Sequence, residues 1–363
     1  MPDLAAMEPL LIPTPRSVMH LGGWVQLDES PGATPALRCV RVENLRPEAY
    51  RLEINADADT GVPRITISAA TATGEARARA TLHQLATQYG SRLPRLIIED
   101  QPLYPARGVM LDVSRDRVPT MGHCAEIGRV LSGLKVNHIQ LYTEHTFAYA
   151  GHEEVWKGWS PLTPAEVRLL ARRWGDLHID LAANQNCFGH LASWLRHDKY
   201  RHLAETHGDW VFDVWPRSGP FSLCPTDPRS LELVDDLLGQ LLPCFSSGLV
   251  NIGCDETYDV GFGRSKDDVA RRGKAAVYLE FVARVGEVAR RHGKRSMFWA
   301  DIALSHPECV KDIPPDMISL AWGYEADSPF RRWCELLAEA GREVWVCPGT
   351  SSWRSITGRT LER

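Results

Sequence analysis

Leu249–Tyr258 reads LVNIGCDETY. Its apolar run has the length of a strand and lacks the polar alternation of a half-exposed sheet, which marks a strand covered on both faces, as in a parallel sheet between helices. The run ends in Asp255 and Glu256. Adjacent carboxylates repel, lose hydration when enclosed, and return nothing to a core unless a cation or a proton meets them. In a parallel barrel the working groups sit at the carboxyl ends of strands. This stretch therefore predicts both a fold and the location of a site.

Working outward, similar runs occur at Gly108–Asp112, His138–Tyr142, Ile179–Ala183, Ser296–Ala300, Ile318–Trp322 and Glu343–Cys347. Helix start signals lie between them: Thr163, Pro164 and Glu166 make an N-cap, a first-turn proline and a capping-box glutamate, while Asp227-Pro228 and Ser328-Pro329 open two more. Seven strand–helix alternations predict an α/β fold of the (β/α)8 TIM-barrel type, spanning residues 104–363 and lacking its eighth strand. Residues 1–103 follow another pattern and predict a small α+β domain. Strand-like Trp24–Leu27, Ala49–Ile54 and Arg64–Ile67 precede a helical run, Glu75–Tyr89, and a further strand, Leu96–Asp100.

The 363 residues are 44% hydrophobic and 24% charged, which suits a globular chain with a sizeable core. A formal net charge of -5 gives no electrostatic reason to expect nucleic acid or an anionic membrane as partner. Twelve tryptophans suit a sugar ligand, since indoles stack on apolar ring faces while donating one hydrogen bond. Nine cysteines without a CxxC pair, no basic leader and no apolar run of membrane-spanning length lead to the expectation of a cytoplasmic protein. Oligomeric state is left open.

The strand ends carry a consistent chemistry. The first run ends in Asp112, Ser114 and Arg115, the second in Thr143, Glu144 and His145, and the third in Asn184, Gln185 and Asn186 with His190 beyond. The fifth delivers Trp299 and Asp301, the sixth Trp322 and Tyr324, and the seventh leads to Trp353. No GxSxG elbow, P-loop or dinucleotide fingerprint occurs, so no cofactor is expected. No HxH or HExxH occurs either, and no metal is expected.

Carboxylates that hydrolyse glycosides usually face each other across the scissile bond, which sequence neighbours can hardly do. An adjacent pair can divide the work if the sugar carries a 2-acetamido group. The substrate's own carbonyl oxygen then attacks the anomeric carbon, one carboxylate orients the amide, and the other protonates the leaving oxygen.

Three segments carry a resemblance to a known family: RGVMLDVSRDRVP (Arg107–Pro119), LKVNHIQLYTEHTF, and NIGCDE. Together they resemble glycoside hydrolase family 20, the β-N-acetylhexosaminidases, in which a small α/β domain precedes a barrel. The resemblance implies an exo-acting retaining enzyme that removes terminal β-linked N-acetylhexosamine through an oxazolinium intermediate, with an amino-sugar glycoside or oligosaccharide as ligand. It implies Glu256 as general acid and then base, and Asp255 as the group orienting the acetamido. It further implies Arg107 on the sugar hydroxyls, His190 as support, Glu144 at the second strand end, and Trp299, Trp322 and Trp353 as walls of the acetamido pocket. Tyr324 is implied as a hydroxyl bonded to the amide, and Asp301 follows Trp299 on the rim. This chain departs from the family pattern in carrying Asn251, Ile252, Gly253 and Cys254 before the pair. Two other readings stay open: an amino-sugar-binding barrel fragment impaired in catalysis, and a metal-assisted barrel hydrolase.

Overall fold

The structure, a computed structural model, describes residues 8–27, 36–115, 117–212 and 214–349. It divides into two compact units. One comprises Met1–Val109 with Gly122–His138 and Arg173–Ile179, and the other holds the rest. The division thus falls inside a strand rather than in a linker at residue 103, because the helix Met121–Gly133 belongs with the first unit over most of its length.

The first unit holds a five-stranded sheet of β1 (Ser17–Gln26), β2 (Ala36–Arg41), β3 (Tyr50–Ala56), β4 (Pro63–Ala69) and β5 (Arg92–Asp100), in the order β1-β5-β3-β4-β2. Leu52, Ile54, Ile65, Ile67, Leu96 and Ile98 alternate along their strands onto one face. There they bury a core with Ala78 and Leu85 of the helix Ala72–Tyr89, whose Thr71 cap accepts the Gly74 N–H. Two features depart from the sequence reading. β2 was not anticipated, because it is an edge strand interrupted by Arg38 and Arg41. β1 runs longer than its apolar signal, since Gly22 and Gly23, both at φ 76°, shift the register between His20 and Trp24 and break the period of two.

Arg107 also belongs to the first unit. Its Nη2 lies 2.6 Å from Glu48 Oε2, its Nε and Nη2 donate to the Lys135 carbonyl at 3.1 and 2.9 Å, and Nη1 donates to the Tyr104 carbonyl at 3.0 Å. Glu48 also receives Arg77 Nε at 2.8 Å. Burial pushes the Glu48 carboxyl up, yet the hydrogen bonds and charges of Arg107 and Arg77 outweigh it and hold the group below the usual carboxylate range. The expectation that Arg107 binds sugar hydroxyls is therefore corrected. It precedes its strand, at the end where barrel residues serve stability, and its nitrogens are committed to Glu48 and backbone.

The parallel sheet consists of β6 (Gly108–Asp112), β7 (His138–Tyr142), β8 (Asp180–Asn184), β11 (Leu249–Asn251), β12 (Arg295–Trp299), β13 (Ile318–Gly323) and β14 (Glu343–Pro348), with spatial order equal to chain order. A hairpin of β9 (Asp209–Phe212) and β10 (Trp215–Ser218) follows β8. Seven parallel strands lie among the described residues, in a TIM-barrel-like fold. Trp353, assigned to the pocket from the sequence, lies outside them. β11 is short because Gly253 and Cys254 turn to positive φ directly after Asn251 and Ile252.

The helices form where the caps predicted them. Thr163 and Glu166 satisfy each other's backbone N–H at 2.9 and 3.3 Å, and Asp227 accepts the Arg229 N–H at 3.0 Å to start Pro228–Leu241. Ser328 instead accepts the Glu325 N–H, and the next helix begins at Phe330. The helix Lys274–Arg291 buries Val277, Tyr278, Phe281, Val282 and Val285. All nine cysteines are free thiols, and among the described residues no helix is long and apolar enough to cross a membrane.

Replacing Arg107 removes the cation from a half-enclosed carboxylate that Arg77 alone then serves. Arg107→Ala is expected to lower unfolding free energy by about 3 kcal/mol, measured by urea denaturation, with sugar affinity of the folded fraction unchanged.

Candidate active site

The site assembles at the carboxyl ends of β6, β7, β8 and β11 in the second unit. Below it, a polar layer locks neighbouring strand ends together. Gln140 Oε1 accepts from Asn184 Nδ2 at 3.3 Å and from Asn251 Nδ2 at 3.0 Å, Asn184 Oδ1 accepts the Thr143 N–H at 3.0 Å, and Asn251 Oδ1 accepts the Gly253 N–H at 2.9 Å. Buried amides paired in this way rigidify the rim above them.

The chain leaves β11 through an unusual turn. Gly253, Cys254 and Glu256 have φ of 70°, 73° and 53°. A Cβ at Gly253 would lie 1.9 Å from Asn186 Oδ1, so only glycine fits. Gly189 is similarly constrained, since a Cβ there would meet the Asp255 carbonyl at 2.6 Å. Tyr278 pins the turn from its helix by donating to the Cys254 carbonyl at 2.9 Å. The kink re-aims side chains that a regular strand would send to opposite faces.

His190, itself at φ 58°, stands between the carboxylates. Its Nε2 is 3.3 Å from Asp255 Oδ2 and 3.2 Å from Glu256 Oε2, at ion-pair distance but off the line of a hydrogen bond. Its Nδ1 lies 3.5 Å from Glu144 Oε1. Burial alone would depress the imidazolium, but the charge of Asp255 and the contacts with Asp255, Glu144 and Glu256 prevail and raise it well above its ordinary value. The surrounding carboxylates thus favour the protonated ring.

Arg115 completes the charge balance. It pairs with Asp112 Oδ2 at 3.0 Å and Glu144 Oε1 at 2.9 Å, donates to Tyr142 Oη at 3.1 Å, and lies 4.7 Å over the Tyr142 ring. Tyr142 Oη in turn donates to Glu144 at 3.0 Å. Burial raises the Glu144 carboxyl, but His190 and Arg115 outweigh it and hold the group below its ordinary range.

On the other flank, Asp301 Oδ2 accepts the Glu256 N–H at 3.0 Å and its Oδ1 receives Trp322 Nε1 at 3.4 Å. Burial, then the charges of Asp255 and Glu256, raise the Asp301 carboxyl. Tyr324 packs at 5.3 Å, tilted, on Trp322. Among the described residues, Asp255 Oδ1, Trp299 Nε1 and both amide atoms of Asn186 are buried without a hydrogen-bond partner.

The structure thus brings Asp255, Glu256, Glu144 and His190 together, sets Asp301 and Trp322 against the Glu256 turn, and stacks Tyr324 on Trp322. Trp299 ends the neighbouring strand β12. Arg107 is not among them. Arg115, with Asp112 and Tyr142, stands beside them without having been assigned to the site from the sequence, although a signal was present: of the two arginines in Arg-Gly-x-x-x-Asp-x-Ser-Arg, only Arg115 follows its strand. One trio, His190, Asp255 and Glu256, has ligand atoms within 4.8 Å of one another and has the spacing for a divalent cation. The loop DVGFGRS folds inward: Gly261, Gly263 and Ser265 N–H donate to Glu205 Oε1 at 3.2, 3.1 and 3.1 Å, so its anion-binding amides are already occupied.

A parallel β/α barrel with paired carboxylates, a buried cation and indoles at its strand ends is the architecture of a barrel glycoside hydrolase. Residues 20–101 match the sequence pattern of glycosyl hydrolase family 20, domain 2, and residues 161–352 match the glycosyl hydrolase family 20 catalytic domain. The chain belongs to glycoside hydrolase family 20. Hexosaminidase D of Homo sapiens is similar at 24% identity over 233 residues, covering 62% of this chain and 46% of that protein. A beta-N-acetylhexosaminidase of Cellulomonas fimi is 25% identical over 357 residues, 91% of this chain and 64% of that protein. The chitobiase structure of Flavobacterium johnsoniae shares the fold with a TM-score of 0.76 at 17% identity, covering 94% of this chain and 59% of that one. The chain therefore spans less than two thirds of these relatives.

The raised carboxyl of Asp301 has a stability consequence with a definite sign. A group whose folded pKa exceeds its unfolded value of 3.8 contributes most below that value and loses its contribution as pH rises through the folded pKa. The stability advantage of the native chain over Asp301→Asn is expected to be largest near pH 4 and to shrink steadily toward alkaline pH, as read from urea midpoints across that range.

Proposed function

We propose that this chain is an exo-acting, retaining β-N-acetylhexosaminidase that works by substrate-assisted catalysis. The carrying observation is the proximity of the carboxylates: an oxygen of Asp255 and one of Glu256 lie within 4.8 Å of each other, and His190 Nε2 stands 3.3 and 3.2 Å from them. Carboxylates that straddle a glycosidic bond stand ~5–5.5 Å apart in retaining enzymes and ~6.5–9.5 Å apart in inverting ones. Neighbours that share one histidine nitrogen leave little room for a sugar ring between them, which supports a nucleophile supplied by the substrate.

The geometry suits the required steps. Asp255 offers the unpartnered Oδ1 to the acetamido N–H, which makes the amide oxygen more nucleophilic, and that oxygen bonds to the anomeric carbon as the glycosidic C–O bond breaks. Glu256, partly open to solvent, gives its proton to the departing oxygen. Water then adds to the anomeric carbon with Glu256 taking back a proton, and the oxazoline ring opens to the free sugar with its β-configuration retained. His190 and Asp301 hold the Glu256 turn from either side. Arg115, whose high pKa keeps it charged despite burial, is placed to bind ring hydroxyls, the role the resemblance gave to Arg107. The nine free thiols support a reducing, cytoplasmic setting.

Glu256→Gln is expected to cut kcat on unactivated β-N-acetylhexosaminides on the order of 10^3-fold while leaving ligand binding intact. The same assay separates the alternatives. Turnover should persist in EDTA and fail on the corresponding sugar bearing a 2-hydroxyl. Loss of activity on chelation would support metal assistance, and equal cleavage of the 2-hydroxy sugar would remove the participation step.

A further inference from the structure

His190, Asp255 and Glu256 meet in a way that suits more than proton transfer. Each offers one ligand atom, and the three atoms lie within 4.8 Å of one another. His190 Nε2 stands 3.3 Å from Asp255 Oδ2 and 3.2 Å from Glu256 Oε2. The His190 side chain is only 10% exposed, yet Nε2 has no hydrogen-bond partner, being in line with neither oxygen. Ligand atoms ~2.0–2.2 Å from a tetrahedral zinc ion stand ~3.3–3.6 Å from one another. Both nitrogen–oxygen edges of the trio are close to that spacing. The imidazole is also supported from behind. Its Nδ1 faces Glu144 Oε1 at 3.5 Å, and that oxygen is held by Arg115 at 2.9 Å and by the Tyr142 hydroxyl at 3.0 Å. A carboxylate behind the far nitrogen fixes the ring of a metal-binding histidine and leaves the near nitrogen for the ion. The turn is fixed as well, by Asp301 at the Glu256 N–H and by Tyr278 at the Cys254 carbonyl. Ligands held in place beforehand lose little entropy when an ion arrives.

From this arrangement we infer that the trio is an inhibitory zinc site, at which the ion and the amino sugar exclude each other. The inference rests on the hydrolase reading above and adds a mode of control to the same site. One imidazole with two carboxylates favours zinc over magnesium and calcium, which prefer ligand sets made of oxygen alone. Glu256, whose side chain is 22% exposed, leaves the fourth position open to water. The ion takes the place of a proton on Nε2, as metal ligands must be deprotonated. Coordination engages both carboxylates that the reaction needs. Asp255 is drawn to the metal rather than to the acetamido group, and Glu256 has no proton left for the departing oxygen. Such an ion blocks hydrolysis, in contrast to one that the reaction requires.

The test has two arms, both at one fixed pH in buffer that does not bind metal. In the first, zinc is titrated into turnover of a chromogenic β-N-acetylhexosaminide. Apparent KM is expected to rise about tenfold or more while kcat stays within about twofold, with EDTA reversing the effect, magnesium at the same concentration having none, and Cys39→Ser, which removes an exposed thiol, changing nothing. In the second, zinc binding is measured by calorimetry on the unaltered chain, Asp255→Asn and Glu256→Gln, with circular dichroism verifying the fold. Each substitution is expected to weaken binding at least about tenfold. Equal zinc affinity in all three chains, a fall in kcat at constant KM, inhibition that disappears in Cys39→Ser, or activity that requires zinc overturns the proposal. If the unaltered chain cleaves no β-N-acetylhexosaminide, the hydrolase reading fails and inhibition with it, while the calorimetric comparison still decides whether the trio binds zinc.

Discussion

The buried charge of His190 is the interaction on which the rest of the site depends. Two adjacent carboxylates and Glu144 converge on this ring, and without a cation between them the desolvated negative charges would force one another apart or take up protons. Unit charges about 4 Å apart in an environment of effective dielectric near 20 attract by ~4 kcal/mol. Holding a non-glycine residue at positive φ costs ~1–3 kcal/mol. His190, Cys254 and Glu256 all adopt that conformation, so attraction from several directions is needed to sustain the turn. The charge of His190 and the strain around it are two sides of one arrangement.

A second layer keeps the cation in place. Arg115 shares Glu144 with His190, and Tyr142 donates to the same carboxylate oxygen. Glu144 is thus the hub through which β6, β7 and the loop after β8 are registered against each other, and the Gln140–Asn184–Asn251 layer below extends this to β11. The free polar atoms stand on the opposite account: a buried donor or acceptor without a partner costs ~1–3 kcal/mol, and the Asp255 oxygen, the Trp299 N–H and the Asn186 amide lie on the strand ends around one turn. A ligand carrying an amide can offer a donor and an acceptor together.

Much of this was legible in the sequence because buried parallel strands write themselves as continuous apolar runs. All seven were placed within a residue or two of their observed limits, and the rule that chemistry follows the strand pointed to Asp255, Glu256, Glu144, His190, Asp301 and Trp322, which the fold gathers around one turn. What escaped did so for physical reasons. β2 is an edge strand whose arginines hide its apolar face, and β1 loses its period at two glycines. The β9–β10 hairpin consists of two four-residue strands, too short for alternation to register. Arg107 and Arg115 differ by one side of a strand. Only their position relative to its ends, not their residue type, separates the ion pair Arg107 makes with Glu48 from those Arg115 makes with Asp112 and Glu144 beside the turn. The positive-φ turn is invisible as a pattern, although Gly253 and Gly189 are its traces.

Strand order then explains why the turn has two unlike flanks. In a barrel the neighbours of a strand are fixed by chain order, so groups flanking β11 come from β8 on one side and from β12 on the other. The β12 and β13 strand ends carry Trp299 and Trp322 directly on the sheet, and Asp301 opens the short helix that follows β12. The β8 side carries a long excursion, with two short helices and a hairpin before the next barrel helix begins at Pro228. An excursion of that length can be reshaped without disturbing the sheet, since loops tolerate change far better than the elements they connect. The groups on the β12 side of the turn are thereby built into the barrel itself, whereas those on the β8 side come from a segment free to vary.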